Sequence, residues 1–293
     1  MDRKLACQEQ LLPGRDLVEK FAFAAWAGFD AVELRGAGDL RFRERLPELR
    51  AARRAGVVMP TVCVQMDHFV GDFDPELRAD AIANLQSQLS VVAEIGGRAA
   101  MTPASWGMFS RRLPPFEPPR TPEQDREVLL EGLAALGEHA RREGVLLLLE
   151  PLNRYEDHMV NTLGQAVALC QELGLPSVGV AGDLFHMNIE EDELGRSIVE
   201  AGGWLAHVQL GDSGRLQPGT GHLDFAGAFA ALRAIGYDGY LTLECCLRGA
   251  PEVALPAAAR FLHSLLDQHP AGGGGERATT AAVGPGSAVG QAL

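Results

Sequence analysis

The sequence predicts a single (β/α)8 barrel, an α/β fold, on three observations. Short runs rich in Val, Leu and Ile alternate with longer segments of helical pattern, and eight such runs occur along the chain. Strands that alternate with helices pair in parallel through right-handed crossovers, and eight such units are the number that closes a barrel. At 293 residues and 46% hydrophobic content, the chain is long enough to bury the core of one such domain.

The candidate strands are, in chain order, LACQE, DAVELRG, VVMPTVCVQM, GRAAMTP, VLLLLEP, SVGVAGD, LAHVQLGD and GYLTLEC. A repeat supports this division, because AGFDAVELRG around the second run resembles IGYDGYLTLEC around the eighth. In both segments a glycine ends a helix, and an aromatic-Asp pair turns the chain into a strand. Both segments therefore predict helix-to-strand junctions.

The helices between the strands carry start and stop signals. Residues 121–124 (TPEQ) form a capping-box start, and Gly144 stands at the far end of that helix. The Asp-Pro pair at 74–75 opens another helix, which the Gly pair at 96–97 closes. A doubly wound open sheet is the alternative architecture. It would normally show a Gly-rich phosphate turn after the first strand, where this chain has QEQLLPG.

Composition assigns residues 1–270 to the barrel and 271–293 to a tail. The tail is rich in Gly and Ala and lacks periodicity, so we expect it to be disordered.

The formal net charge of -13 disfavours binding to nucleic acid or to a membrane surface, since both are held by clustered Lys and Arg. An odd number of cysteines and the lack of a signal-like or membrane-spanning apolar stretch predict a cytoplasmic protein.

One predicted connection, residues 103–120, is longer than the others and contains prolines and aromatics without a regular period. In a barrel it would follow the fourth strand and lie over the face that carries the chemistry. Trp106, Phe109 and Phe116 could then cover a substrate. A rigid Pro-rich surface loop is an equally good interpretation.

Polar residues at the C-terminal ends of the predicted strands are the candidate site, because barrel enzymes place their chemistry there. Glu150 ends the fifth strand, Asp183 ends the sixth, Gln209 lies in the seventh and Glu244 ends the eighth. Any one of these residues could be a helix cap or a solvent-facing side chain. Because consecutive parallel strands lie side by side, the four together can reach one metal ion.

Five motifs carry a family resemblance: ELRG, EPLNRYEDHMVNT, GDLFHMNIEE, HVQLGDSGRLQPGTGHLDF and LEC. Together they resemble the xylose-isomerase-like TIM-barrel sugar isomerase/epimerase superfamily, above all its ketose 3-epimerases and hydroxypyruvate isomerase, over approximately residues 5–266. The resemblance implies metal ligands at Glu150, Asp183, Gln209 and Glu244 and substrate contacts at Glu156, His186 and Arg215. Gln209 departs from the ketose 3-epimerases, which have histidine there, and agrees with hydroxypyruvate isomerase.

Proton transfer is the chemistry that this site favours. A metal that chelates the carbonyl and neighbouring hydroxyl of a ketose stabilises the enediolate formed when the adjacent C–H proton leaves. Glu150 and Glu244 are the candidate catalytic base and acid. The amide oxygen of Gln209 makes the donor set harder, so Mn²⁺ is the first choice, with Mg²⁺ and Co²⁺ as alternatives.

The sequence therefore predicts a metal-dependent sugar isomerase or epimerase that acts on a ketose or related hydroxycarbonyl. The resemblance implies a homodimer or homotetramer. An inosose-type dehydratase is the main alternative, because it would use the same ligands and the same enediolate. An endonuclease IV-like nuclease would require more histidines and a basic surface. A non-catalytic sugar-binding barrel would leave the carboxylates crowded without a neutralising cation.

Overall fold

Eight parallel strands close into a barrel in the computed structural model, which describes residues 4–108 and 117–267. The strands are β1 (Leu5–Gln8), β2 (Ala31–Ala37), β3 (Thr61–Gln65), β4 (Ala99–Pro103), β5 (Leu146–Glu150), β6 (Val178–Asp183), β7 (Leu205–Leu210) and β8 (Leu241–Leu243). Each strand pairs with the next in sequence, and β8 pairs with β1. The predicted (β/α)8 barrel is confirmed, and the open sheet is excluded.

Helices surround the barrel. In the described residues they are α1 (Leu17–Ala27), α2 (Arg41–Glu44), α3 (Leu46–Arg54), α4 (Pro75–Glu94), α5 (Pro122–Glu143), α6 (Leu163–Leu173), α7 (Leu184–Glu190), α8 (Leu194–Ala201), α9 (Phe225–Ala234) and α10 (Pro251–Asp267). Leu147 and Leu149 of β5 pack in the main core, whereas Leu148 belongs to a separate cluster with Met101 and Ala181. Because successive strand residues point to opposite faces, the smaller cluster fills the inside of the barrel.

The helix cap and the helix-ending glycines lie where the sequence predicts them. At the start of α5, Thr121 Oγ1 accepts a hydrogen bond from the Gln124 backbone N–H at 3.3 Å, and the reciprocal bond completes the capping box. Gly144 ends that helix with a φ of 72°. Gly28 and Gly236 precede the two similar junctions and have φ values of 102° and 69°. Left-handed backbone of this kind strains residues that carry a Cβ, so glycine is required there.

Three predictions concern residues outside the described part of the chain. These are the roles of Phe109 and Phe116 and the disorder of the tail at 271–293, and they stay predictions. Among the described helices, none is long and apolar enough to cross a membrane.

Candidate functional site

The barrel brings the predicted site residues to one mouth. Glu150 and Asp183 are the last residues of β5 and β6, Gln209 is paired in register with Asp183, and Glu244 directly follows β8. Glu150, Asp183 and Gln209 are buried. One ligand atom from each of Glu150, Asp183 and His186 lies within 4.8 Å of the others. The carboxylates of this mouth form a compact acidic group, which is a composition suited to a divalent cation.

Two buried oxygen atoms at the same mouth lack a hydrogen-bond partner within residues 4–108 and 117–267. They are Gln209 Oε1 and Glu244 Oε2. A buried polar atom without a partner typically costs about 1–3 kcal/mol, so such atoms call for a ligand. Oxygen donors from an amide and from carboxylates are those that hard cations prefer. The residues present therefore fit a divalent metal of the Mn²⁺ or Mg²⁺ type.

The three carboxyl groups at the mouth differ in their pKa values. Burial, together with the charges of Glu244 and Asp183, raises the pKa of Glu150 well above its ordinary value. Burial also raises the pKa of Glu244 to about 7, against the opposing charge of Arg215. Burial has the same tendency at Asp183, but Arg215 and His186 hold the pKa of that carboxyl below its ordinary value. The site thus separates one ionised carboxylate from two that accept protons readily, which is the pattern of an acid–base pair.

The environment of His186 determines which ring nitrogen faces the site. The backbone N–H of Asn153 lies 3.2 Å from His186 Nδ1, and Asn153 Nδ2 lies 2.8 Å from the same atom. A backbone N–H can only donate, so Nδ1 accepts and the neutral ring carries its hydrogen on Nε2. Burial lowers the pKa of His186, which favours this neutral form. Nε2, 4.0 Å from Asp183 Oδ2, is therefore a hydrogen-bond donor and lacks the lone pair that a metal ligand needs.

Glu156 is held at the edge of the pocket by two donors. Asn153 Nδ2 donates to its Oε1 at 2.8 Å, and Trp106 Nε1 donates to its Oε2 at 3.1 Å. Trp106 lines the pocket and is 55% exposed, so its ring forms part of the mouth. The pocket has a volume of about 240 Å³, and Val64, Met66 and Phe69 also line it. Of the three aromatics predicted to cover a substrate, Trp106 thus reaches the pocket.

Arg215 reaches the site from the loop after β7. Its guanidinium contacts Asp183 Oδ2 through Nη1, lies 3.2 Å from Glu244 Oε1 through Nη2, and stacks 4.8 Å from the Phe185 ring centroid. The loop is organised by Asp212, whose carboxylate accepts backbone N–H groups from Ser213, Gly219, Thr220, Gly221 and Leu223. These amides already have an anionic partner, so this turn does not offer them to a substrate phosphate.

Glu33 on β2 received no role from the sequence. It is fully buried, and its carboxylate accepts hydrogen bonds from Gln8 Nε2 at 3.0 Å and from Gln209 Nε2 at 3.0 Å. Thr61 Oγ1 donates to it at 2.6 Å, and His207 Nε2 lies 2.9 Å away. Burial opposes its ionisation, but His207 holds the pKa of Glu33 below its ordinary value. The signal was present in the sequence, because a carboxylate inside the apolar run DAVELRG needs buried partners.

Arg35 is the second residue that the sequence did not reveal. It lies two residues after Glu33 on the same strand, so both side chains point to the inside of the barrel, with Arg35 nearer the mouth. Its side chain lines the pocket. Its guanidinium makes no hydrogen bond or salt bridge within the described part of the chain. Within residues 4–108 and 117–267, the five N–H donors of this guanidinium thus have no acceptor.

Comparisons with known proteins agree on one family. A family model described as a xylose isomerase-like TIM barrel matches residues 21–265. The 3-dehydro-D-guloside 4-epimerase of Escherichia coli (strain K12) is 39% identical over 246 residues, which are 84% of this chain and 93% of that protein. The ketose 3-epimerase of Arthrobacter globiformis is 31% identical over 239 residues, 80% of this chain and 78% of that protein.

Solved structures give the same result. The crystal structure of 3-keto-D-glucoside 4-epimerase from E. coli has a TM-score of 0.84 and 37% sequence identity to this chain. The match covers 90% of this chain and 100% of that one. The relatives named here are sugar epimerases, and the family and fold predicted from the sequence are confirmed.

Proposed function

We propose that this chain, which belongs to the xylose isomerase-like TIM barrel family, is a divalent-metal-dependent sugar epimerase. It inverts a carbon next to a carbonyl group by removing a proton from one face and returning one to the other. The observation that carries this proposal is the pair of buried, unpartnered oxygens on Gln209 and Glu244 beside two further carboxylates. The similarity to a 3-dehydro-D-guloside 4-epimerase favours a keto sugar, free or glycosidic, as the substrate.

The metal ligands in this proposal are Glu150, Asp183, Gln209 and Glu244. Their donor set favours Mn²⁺, with Mg²⁺ and Co²⁺ as alternatives. When bound, the ion would stabilise the negative charge that develops on the substrate carbonyl oxygen as the proton leaves. His186 is outside the ligand set, because its Nε2 carries a hydrogen.

Glu150 and Glu244 move the proton. Burial raises the pKa of both carboxyls above the ordinary value, that of Glu244 to about 7, so both accept a proton more readily than an exposed glutamate does. A carboxyl of this kind is an efficient general acid or base. Glu150 extends from β5 and Glu244 follows β8, so the two approach a bound sugar from different sides of the mouth.

The remaining polar residues hold the sugar. His186 Nε2–H donates to a substrate oxygen, the Glu156 carboxylate accepts from a hydroxyl, and the Arg215 guanidinium donates to oxygens near the reacting carbon. The side chains of Trp106, Met66 and Phe69 form an apolar wall that excludes water from the sugar. We also keep a cytoplasmic location and a homodimeric or homotetrameric state as parts of this proposal.

Proton NMR in D₂O tests the function. Mn²⁺-loaded protein is incubated with 3-keto-glycosides, free ketoses and hydroxypyruvate, and the carbon that exchanges its proton is identified. We expect deuterium to enter at one carbon, with inversion of that carbon. Loss of a hydroxyl would show a dehydratase, and exchange between C1 and C2 would show an aldose–ketose isomerase. No exchange with any of these compounds would overturn the proposal.

A further inference from the structure

We propose that Glu33 is a positioning residue that orients the Gln209 amide, so that its oxygen and not its nitrogen faces the other metal ligands. Glu33 has no ligand role of its own in the proposed function. The inference rests on that function only in requiring a divalent cation at the site.

The orientation of the Gln209 amide decides whether this residue can bind a cation. The two ends of a glutamine amide have nearly the same size, but one end accepts hydrogen bonds and the other donates them. A histidine ligand has a lone pair at a fixed ring position. A glutamine turned by half a rotation would instead present N–H groups to a cation and would repel it. Gln209 can therefore serve as a ligand only if something fixes its orientation.

Glu33 contacts the nitrogen end of the Gln209 amide. Gln209 Nε2 donates to Glu33 Oε1 at 3.0 Å, and both side chains are fully buried. An ionised carboxylate only accepts hydrogen bonds, so the rotated amide would bring two oxygens together in an environment without water. Gln209 Oε1 then remains at the opposite end of the amide, and it has no partner in the described part of the chain.

The Glu33 carboxylate is itself held by residues of other strands. Its Oε1 also accepts from Gln8 Nε2, while Thr61 Oγ1 and His207 Nε2 approach Oε2 at 2.6 and 2.9 Å. These partners come from β1, β3 and β7, so three strands hold a carboxylate that belongs to a fourth. Groups that hydrogen-bond to metal ligands typically change metal affinity about 10–100-fold when they are removed.

The test measures Mn²⁺ binding to the full-length, metal-stripped chain, by electron paramagnetic resonance of free Mn²⁺. Glu33→Asp is the principal variant, because it keeps the negative charge and withdraws the carboxylate by one methylene. We expect its dissociation constant for Mn²⁺ to rise about 10-fold or more. Thr61→Val is the control, since it removes a hydrogen bond to Glu33 Oε2 and leaves the bonds from Gln8 and Gln209 to Oε1 in place. It should lower the melting temperature and leave Mn²⁺ affinity within about threefold of wild type.

A double-mutant cycle tests whether Glu33 acts through Gln209. Glu33→Asp in a Gln209→Ala background should change the Mn²⁺ dissociation constant less than about threefold, because the amide to be oriented is gone. Equal Mn²⁺ affinity in wild type and Glu33→Asp would overturn the inference, as would an undiminished effect of Glu33→Asp in the Gln209→Ala background. If Glu33→Asp fails to fold, Glu33→Gln keeps the length of the side chain but can also donate to the Gln209 oxygen, so unchanged Mn²⁺ affinity there overturns the inference. If the wild-type protein itself binds no Mn²⁺, the proposed metal-dependent function is wrong.

Discussion

The two halves of the barrel supply different kinds of side chain to the same mouth. From β5 to β8 come Glu150, Asp183, Gln209 and, just after the last strand, Glu244. From β1 to β4 the pocket receives mainly Cys63, Val64, Met66 and Pro103, with Arg35 as the charged exception. The acidic Glu33 also belongs to the first half, but it lies inside the barrel and is fully buried.

This difference suggests a division of labour. The second half carries three carboxylates at the mouth whose pKa values are shifted by burial and by neighbouring charges. The first half forms the wall of the pocket and, through Glu33, contacts Gln209 from within the barrel. Substitutions in the second half should therefore affect the reaction or metal binding directly. Those in the first half should affect substrate affinity or metal affinity indirectly.

The largest effect is expected from Glu150→Gln and Glu244→Gln. Either change removes one partner of the proton transfer, so turnover should fall about 10²–10⁴-fold in the D₂O exchange assay. The melting temperature of the metal-free protein should not fall, because the folded state already disfavours the charged form of both carboxyls. Glu94→Gln, on the outer helix α4, is the matched control. Wild-type turnover in both site variants would refute this mechanism.

Asp183→Asn should mainly weaken metal binding. Asp183 is the carboxylate that the site keeps ionised, and its Oδ1 also caps α7 by accepting from the Phe185 N–H at 2.8 Å. Asparagine retains the cap and loses the charge. We therefore expect Mn²⁺ affinity to fall about 10–100-fold. The melting temperature of the metal-free protein should fall as well, because Arg215 loses its charged partner. Metal analysis after gel filtration measures this, and full metal occupancy in the variant would speak against Asp183 as a ligand.

The loops of the two halves meet at Asp157, which is fully buried and accepts a hydrogen bond from Ser105 Oγ. Burial raises its pKa from 3.8 to about 6. The contribution of Asp157 to stability is therefore complete below about pH 4 and is lost as the pH rises through about 6. The free energy of unfolding of wild type, minus that of Asp157→Asn, should fall by about 2 kcal/mol between pH 4 and pH 7.

Urea denaturation at each pH measures that difference. Asp192→Asn is the control for the loss of one charge, because the side chain of Asp192 is 95% exposed. A difference between wild type and Asp157→Asn that stays constant across this range would contradict the pKa assigned to Asp157.

The smallest effect is expected from a substitution in the pocket wall, which the first half of the barrel forms. Arg35→Ala removes donors that line the pocket without contacting the carboxylates, so KM should rise about tenfold while kcat changes less than about threefold. Arg43→Ala, an exposed arginine on α2, is the matched control. A fall in kcat with unchanged KM would place Arg35 in the chemistry and would weaken the division between the halves.

Much of the fold was predictable, because its signals are local. The capping box at Thr121 and Gln124 and the glycines at 28 and 236 act through backbone groups a few residues away. The candidate site was predictable in part for the same reason. A carboxylate at the end of an apolar strand stands out in the sequence, and the order of parallel strands determines which of them become neighbours.

Glu33, Asn153 and Arg35 were not predictable as parts of the site. Glu33 meets Gln209 across 176 positions of sequence, and the tautomer of His186 depends on Asn153, which is 33 positions away. The local pattern indicates at most that Glu33 needs buried partners. It does not indicate which residues these are, because that depends on which side chains point to the same side of a closed barrel.

The sequence by itself determined the alternation of strands and helices, and it also placed acidic residues at the strand ends, since both follow from periodicity and from turn and cap chemistry. Only the tertiary structure decided which end of the Gln209 amide faces Glu33, which nitrogen of His186 bears the hydrogen, and which carboxyls have raised or lowered pKa values. These properties depend on burial and on the direction of single hydrogen bonds between distant segments, and both arise only when the barrel closes.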